Sequence, residues 1–279
     1  PLSKKLANKG LTTAIIEQRW AGGTCINDGC TPTKTMIASA RVAYLAKRSK
    51  EFGVNINGFS VDMPTIYNRK QQVVESFRNS SEKGLLDTKN LELIYGKAVF
   101  TGNKEIRVAL RKGGEETITA ERIFINVGSR PSIPKIEGLD KVNYLTSTTI
   151  MELKKLPEHL IAIGGGYISL EFGQMFRRFG SMVTILEHAE RFLAREDEDI
   201  ANEIKKNLED EGIEIYTNCQ ISKVSSENDS VSVTVKISNE EKIFTGSHIL
   251  IGAGRTPNTN ELHAEKTGVK IDDKGHIIV

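Results

Sequence analysis

The sequence predicts an α/β fold with two domains, and three observations lead to this prediction. The 279 residues are enough to bury two cores of ordinary size. The chain opens on a short amphipathic stretch followed by a β-branched run, the order expected of a helix that leads into a buried strand. Near the middle, a glycine-rich turn stands between an apolar run and an amphipathic stretch. Parallel strands joined by helices are therefore expected.

Composition excludes several classes of protein. Lys and Arg number 38 against 36 Asp and Glu, so a net charge of +2 gives no strong field for nucleic acid or acidic lipid. No apolar run approaches the roughly 20 residues that a membrane helix needs. Three cysteines are too few for a disulfide scaffold, which favours a reducing cytoplasm. Neither a nucleic-acid partner nor a membrane is expected.

The first half of the chain predicts one domain in outline. Leu2 and Leu6 lie one helical turn apart, Gly10 stops the helix, and residues 11–17 form a strand. This is half of a βαβ unit, so a strand and its glycine loop are expected before the first residue. Helices are predicted over 35–50 and 63–83.

Residues 91–125 are expected to form short strands with turns at 101–103 and 112–114, as in a small antiparallel meander. At the end of this region, residues 123–128 predict a buried strand that stops at a glycine.

The second half predicts a complete βαβ unit. A strand over 160–163 runs into three glycines at 164–166, and apolar residues from Ile168 to Phe179 recur at helical spacing before Gly180. A strand from Met182 to Glu187 follows directly. Another helix over 200–211, further strands and a final apolar strand over 249–251 complete the pattern.

The glycine turn predicts a dinucleotide site, because exposed backbone N–H groups and the positive end of a helix hold a pyrophosphate. Gly164 and Gly166 match the fingerprint, and Ser169 stands where it asks for a third glycine or alanine. Glu187, 23 positions after Gly164, suits hydrogen bonds to an adenosine ribose and favours NAD over NADP. His188 and Arg191 could soften its repulsion of a 2′-phosphate. The alternative is a structural turn with a solvated Glu187.

Cys25 and Cys30 form a candidate redox pair. Four intervening residues can bring two sulfurs together around one helical turn, where the helix end stabilises a thiolate, and Lys34 adds a positive charge one turn later. A zinc site would need further Cys or His partners, and neither Cys219 nor any histidine has the spacing. Two inert thiols are the other alternative. Cys219 is expected to be a core residue of a strand over 213–221.

Four motifs carry a family resemblance: GGTCINDGCTPTK, IFINVGSRPSIP, IAIGGGYISLEFG and ILIGAGRTPN. In their order and spacing the chain resembles the pyridine nucleotide–disulfide oxidoreductases, in the branch of dihydrolipoamide dehydrogenase and mercuric reductase. The resemblance implies two Rossmann-like dinucleotide-binding domains, the FAD/NAD(P)-binding fold, with a small antiparallel β meander. The FAD domain would take residues 1–150, the NAD(P) domain 151–247 and a return segment of the FAD domain 248–279.

The resemblance also implies roles for individual residues. Electrons would pass from NAD(P)H to FAD, then to the disulfide and the substrate. Cys25 would meet the substrate and Cys30 the flavin, with Lys34 and Glu171 as an ion pair beside the flavin. Glu171 could otherwise be solvated.

The implied cofactor contacts fall into two sets. Those to FAD are Glu17, Gly23, Thr24, Gly29, Lys34, Gly96, Ala98, Val127, Gly128 and Ser129. Those to the nicotinamide dinucleotide and the segment that returns from it are Gly164, Gly166, Tyr167, Ile168, Glu171, Glu187, Ile221, Gly254 and Arg255. Tyr167 would gate the nicotinamide pocket, and Arg255 could otherwise be a salt-bridged loop residue.

Two parts that the resemblance implies are not found in the chain. They are the FAD glycine fingerprint with its first strand, and a C-terminal domain that would supply the homodimer contact and a His-Glu base. The chain alone is therefore expected to be inactive toward a disulfide. The substrate would be a small disulfide or dithiol, or mercuric ion. The alternative is a non-catalytic NAD-binding fragment.

Overall fold

The computed structural model describes residues 1–228 and 230–279. The helices are α1 (Leu2–Asn8), α2 (Gly23–Asn27), α3 (Cys30–Lys47), α4 (Met63–Leu86), α5 (Tyr167–Phe179) and α6 (Glu198–Asp210). The strands are β1 (Thr13–Glu17), β2 (Leu91–Gly102), β3 (Glu105–Leu110), β4 (Glu115–Thr119), β5 (Ser129–Pro131), β6 (Tyr144–Leu145), β7 (His159–Ile163), β8 (Met182–Leu186), β9 (Ile213–Tyr216), β10 (Gln220–Glu227), β11 (Ser230–Ile237), β12 (Glu240–Gly246), β13 (His248–Ile251) and β14 (Arg255–Pro257). The predicted α/β class is confirmed.

The described residues divide into two compact units. The first comprises Pro1–Thr31, Gln72–Arg130 and Arg255–Val279, and the second comprises Pro32–Gln71 and Pro131–Gly254. These bounds differ from the predicted domains, chiefly because Pro32–Gln71 is grouped with the second unit. The physical reason is packing, since Met36 and Ala40 of α3 belong to the core of that unit. Which cofactor each region binds stays a prediction.

The first unit is built on a four-stranded sheet in the order β1-β2-β3-β4. The long strand β2 has two partners in succession: its first residues pair in parallel with β1, and its later residues pair antiparallel with β3. β3 pairs antiparallel with β4, which gives the predicted meander. The core of this unit is small. Its buried members are Ile94, Phe100, Ile106, Val108, Leu262 and Ala264.

The predicted strand over 123–128 is wrong. These residues belong to no strand, and Phe124 and Val127 are exposed. Apolar, β-branched composition suits a strand, but a strand also needs a neighbour to complete its hydrogen bonds. Hydrogen bonds hold the end of this segment. The Asn258 backbone N–H donates to the Gly128 carbonyl oxygen, and its side-chain N–H donates to the Val127 carbonyl oxygen.

The second unit has a five-stranded parallel sheet in the order β6-β13-β7-β8-β9. Both faces of this sheet are covered, as its continuous apolar strands require. Leu160 and Ala162 of β7 pack into the core that contains the helices, whereas Ile161 and Ile163 pack into a second core with the antiparallel sheet β10-β11-β12. The alternation follows from the two-residue period of a strand.

The predicted βαβ unit is present as β7, α5 and β8. The apolar stripe of α5 is buried, and Phe176 is fully inaccessible to solvent. Gly180, with φ of 122°, ends the helix as predicted. Cys219 is fully buried, as expected of a core residue, but it lies in the loop between β9 and β10 rather than in a strand. Asn218, with a positive φ of 56°, interrupts the extended backbone there.

Candidate functional site

The cysteine pair lies where α2 gives way to α3. Cys25 is the middle residue of the five-residue α2, Cys30 is the first residue of α3, and both are exposed. The two thiols are in hydrogen-bond contact, and this contact, more than burial, raises the pKa of the Cys25 thiol above its ordinary value. The structure thus holds a dithiol whose sulfurs are already neighbours, the arrangement that a reversible disulfide needs.

Two glycines make this close approach possible. Gly22 caps α2 with φ of 102°, a left-handed conformation that side chains disfavour. Gly29 stands directly before the second cysteine, where an added Cβ would lie 2.9 Å from the carbonyl oxygen of Thr24 and 3.5 Å from the Cα of Cys25. Any side chain at this position would press α2 away from the start of α3.

Sequence reasoning missed the polar contacts that hold the cysteine segment. The Arg19 guanidinium donates to the Asp28 carboxylate at 2.8 Å, which joins the residues before and after α2. The Asn27 side chain bonds to backbone carbonyls of the same segment and to Arg78 of α4. An asparagine that ends so short a helix is a local signal that could have been read. Arg78 is remote in sequence and gave no signal.

Lys34 and Glu171 form an ion pair in the second unit, between α3 and α5. The Lys34 side chain is 62% exposed and that of Glu171 is 37% exposed. Glu171 therefore has Lys34 as an ionic partner, and its carboxylate is partly exposed to solvent. Tyr167 lies one turn earlier as the first residue of α5, with a largely exposed ring.

The glycine loop of the second unit joins β7 to α5. Gly164, with φ of +96°, lies against the segment that follows β13, where an added Cβ would come within 2.8 Å of the Gly252 carbonyl oxygen. Gly166 is the N-cap of α5, has no side-chain capping bond, and would present an added Cβ to open space. Free amides of a helix start beside an open backbone suit a pyrophosphate, so these residues fit a dinucleotide.

Glu187 follows β8 and folds back onto the glycine loop. One carboxylate oxygen accepts the Gly165 backbone N–H, and the other accepts the Ala189 backbone N–H at 2.7 Å. The alternative of a solvated Glu187 is therefore wrong. A carboxylate bound to the loop itself lies where the resemblance expects a ribose contact.

Ser169 occupies the third small-residue position of the fingerprint, and its side chain is fully buried in α5. Among the described residues, its hydroxyl is the buried side-chain polar group that has no hydrogen-bond partner. A Cβ added at Gly252 would come within 2.1 Å of this oxygen. Small residues on both sides thus allow the helix to approach the end of β13 closely.

Several residues expected to contact FAD lie in the first unit with open space around their backbone or side chain. Glu17 ends β1, and its carboxylate accepts the Arg19 backbone N–H at 2.7 Å. Gly23 and Gly128 have positive φ angles of 65° and 69°, and an added Cβ at either would meet nothing within 4 Å. Thr24 lies exposed in α2. An acid at a strand end fits a ribose, and open glycine backbone fits the phosphates of a nucleotide.

Other residues of that set have partners within the protein. Gly96 is buried in the β2–β3 ladder, where an added Cβ would lie 2.6 Å from the Ala109 carbonyl oxygen, and Ala98 packs against the core of the first unit. The Arg255 guanidinium donates to the hydroxyl and the carbonyl oxygen of Ser129, at 2.8 and 2.6 Å. Arg255 is thus held by neutral oxygens, which corrects the alternative of a salt bridge.

The remaining members of the nicotinamide set lie in the second unit. Ile168 and Ile221 are partly buried against its two cores, and Gly254 has φ of +105° with open space around it. Among the described residues no group of three or more Cys, His, Asp or Glu side chains could hold a metal ion. Over the same residues, no helix is long and apolar enough to cross a bilayer.

The chain matches known proteins over its whole length. The family model of the pyridine nucleotide-disulphide oxidoreductases matches residues 2–279. A mercuric reductase of Streptomyces lividans is 36% identical over 98% of the chain and 57% of its own length, and a dihydrolipoyl dehydrogenase of Geobacillus stearothermophilus is 33% identical over 99% and 58%. The solved structure of the HOCl-induced flavoprotein disulfide reductase RclA from Escherichia coli is 37% identical and superposes with a TM-score of 0.87, covering 100% of the chain and 59% of that protein.

The chain spans less than three fifths of the length of these relatives. The alternative of a non-catalytic NAD-binding fragment finds no support among them, because each is an oxidoreductase by name. With the thiol pair, the glycine loop and the two α/β units in place, the chain belongs to the pyridine nucleotide-disulphide oxidoreductase family.

Proposed function

We propose that the chain is the nucleotide- and thiol-bearing part of an NAD(P)H-dependent, FAD-dependent disulfide oxidoreductase. The observation that carries the proposal is the contact between the Cys25 and Cys30 thiols at the start of α3. Two exposed thiols on a glycine-permitted turn serve no packing purpose, whereas they suit a cycle between dithiol and disulfide. The substrate would be a small disulfide or dithiol, or mercuric ion.

A disulfide substrate would be reduced in two thiol–disulfide exchange steps. Cys25, as thiolate, attacks one substrate sulfur, the substrate S–S bond breaks, and one substrate thiolate leaves. Cys30 then attacks the Cys25 sulfur of the mixed disulfide and releases the second substrate thiolate. The two protons of the protein thiols pass to the two substrate sulfurs. The substrate is reduced by two electrons, and the pair is left as a disulfide.

Other residues would bind and orient. When bound, the flavin would relay two electrons from the nicotinamide to the disulfide. Glu17, Gly23 and Gly128 would hold the flavin nucleotide. The amides at Gly166 would hold the pyrophosphate of the nicotinamide dinucleotide, and Glu187 its ribose. Lys34 and Glu171, already paired, would lie beside the flavin as the resemblance implies.

Glu187 favours NAD over NADP in this proposal. A 2′-phosphate on the ribose would lie beside a carboxylate that two backbone amides hold in place, and the two negative charges would repel each other. A homodimer formed through a further C-terminal domain, and a His-Glu base from that domain, stay predictions of the resemblance. A cytoplasmic location stays a prediction from the low number of cysteines.

An absorbance spectrum of the purified chain, before and after anaerobic NADH, tests the proposal. We expect a flavin band that NADH bleaches faster than NADPH does, and a long-wavelength shoulder from a thiolate beside the ring. A colourless protein that takes up no added FAD would overturn the flavin assignment. A flavoprotein reduced faster by NADPH would overturn the NAD preference alone.

A further inference from the structure

The cysteine helix α2 has little to hold it in place. It is five residues long, too short to be stable by its own hydrogen bonds, and none of its residues is buried. The position of Cys25 relative to Cys30 must therefore depend on contacts made by side chains around α2. Besides the Arg19–Asp28 ion pair, three residues of the first unit supply such contacts: Trp20 before the helix, Asn27 at its end and Arg78 on α4.

Asn27 joins α2 to the segment that precedes it. Its side-chain amide donates to the carbonyl oxygen of Ala21 at 3.1 Å and to that of Gly23 at 2.9 Å. Its side-chain oxygen accepts the Arg78 Nε–H at 2.7 Å. Both ends of the amide group are thus engaged, so its orientation is fixed.

Arg78 contacts the segment on both sides of Cys25. Besides its bond to Asn27, its guanidinium lies over the Trp20 ring, with the central carbon 4.5 Å from the ring centroid. One half-buried side chain therefore binds residue 20 and residue 27 together and closes the chain between them into a loop that contains Cys25. We call Asn27, Arg78 and the Trp20 ring the clasp.

We propose that Asn27 and Arg78 are positioning residues that set the reduction potential of the Cys25–Cys30 pair. This inference deepens the proposed function and rests on it. A disulfide forms within a protein more readily the better the two thiols are held together beforehand, because less freedom is lost on closure. Loosening the clasp lowers the effective concentration of the Cys25 thiol at Cys30 and disfavours the oxidised pair.

Equilibration with glutathione measures this property without flavin or nucleotide. Oxidised glutathione takes two electrons from the Cys25–Cys30 dithiol. One protein thiolate displaces a first glutathione thiolate, the other displaces the second from the mixed disulfide, and both protons pass to glutathione. Cys219 does not interfere, because it is buried and its burial raises the pKa of its thiol to about 11. Alkylating the free thiols and measuring the ratio of oxidised to reduced protein by mass spectrometry gives the equilibrium constant.

Asn27→Ala and Arg78→Gln are each expected to lower this equilibrium constant roughly tenfold, which raises the potential by about 30 mV. Because the two residues act through one shared bond, the double variant should show much less than the sum of their effects. Arg78→Lys keeps a cation over Trp20 and a donor toward Asn27, so it should recover part of the loss. Arg107→Gln, which removes an exposed ion pair with Glu115 in the same unit, is the matched control.

The proposal is overturned if the folded Arg78→Gln protein keeps the parent equilibrium constant within twofold, or if Arg107→Gln changes it as much. A variant that melts earlier but keeps its potential gives the clasp a merely structural role and also overturns it. If Asn27→Ala fails to fold, the Arg78 pair of variants decides alone. A parent chain whose thiols never oxidise contradicts the proposed function, whereas a missing flavin band leaves this measurement intact.

Discussion

The glycine loop and the cysteine loop carry the two candidate sites, and they are held by different forces. The glycine loop joins β7 to α5, both of which are packed into large apolar cores. The cysteine loop, by which we mean the chain from Trp20 to Cys30, contains α2. This helix buries no residue and is held by Asn27, Arg78 and a surface ion pair. Apolar burial fixes the first loop, and a few polar contacts fix the second. A rigid scaffold is suited to binding a ligand. A loop in which a disulfide must form and break is better held by weaker contacts, because it has to move.

The largest expected effect tests whether apolar burial around α5 dominates the stability of the chain. Phe176→Ala removes a fully buried ring of α5 and is expected to cost about 3–5 kcal/mol of unfolding free energy, by loss of transfer energy and creation of a cavity. Urea unfolding followed by circular dichroism measures it. Phe77→Ala, at an exposed ring of α4, is the control and should stay within about 0.5 kcal/mol. Equal losses in both variants would mean that the core does not dominate stability.

A smaller effect is expected where α5 meets β13. Gly252→Ala would place a methyl group within 2.1 Å of the Ser169 hydroxyl, and such overpacking costs about 1–3 kcal/mol. Ser169→Ala removes a buried hydroxyl that has no partner, so alone it should be neutral or slightly stabilising. Combined, the two changes should cost less than Gly252→Ala does, which denaturant unfolding of all four proteins would reveal. Additive losses would contradict the close contact.

The smallest effect concerns the cysteine loop and is a shift in reactivity. Contact with Cys30 raises the pKa of the Cys25 thiol, so at a given pH less of it is the reactive thiolate. Cys30→Ala removes the contact and should move the midpoint of Cys25 alkylation to lower pH, with a faster reaction near pH 8. The rate of iodoacetamide labelling against pH measures it, with Cys219→Ala as the control. A midpoint that does not fall would show that the thiols do not share a proton.

Sequence periodicity predicted the second unit well. The stripe of α5, the three glycines and the flanking strands were all visible, because burial on both faces of a parallel sheet leaves long apolar runs. Glu187 was predicted to be the last residue of its strand and lies directly after β8, which ends at Leu186, whereas its bonds to the glycine loop depend on the turn of the folded chain.

The first unit was less predictable. The cysteine motif was evident, yet the run over 123–128 has strand composition and no pairing neighbour. The bond from Arg78 to Asn27 joins residues 51 positions apart, and no local pattern announces it. The start of α3 also differs from the prediction. The helix begins at Cys30 rather than at residue 35, which places the second thiol at a helix start.

Hydrogen bonds from two backbone amides hold the Glu187 carboxylate in place, which matters for the recognition of a nucleotide. A glutamate that becomes ordered only on binding loses about 1.5–2 kcal/mol of rotamer entropy. Here the Gly165 and Ala189 amides have already restricted the side chain, so most of that loss occurred on folding. A ribose that arrives at this loop would meet an acceptor of settled orientation, and the selectivity of the site would follow from geometry fixed before any ligand enters.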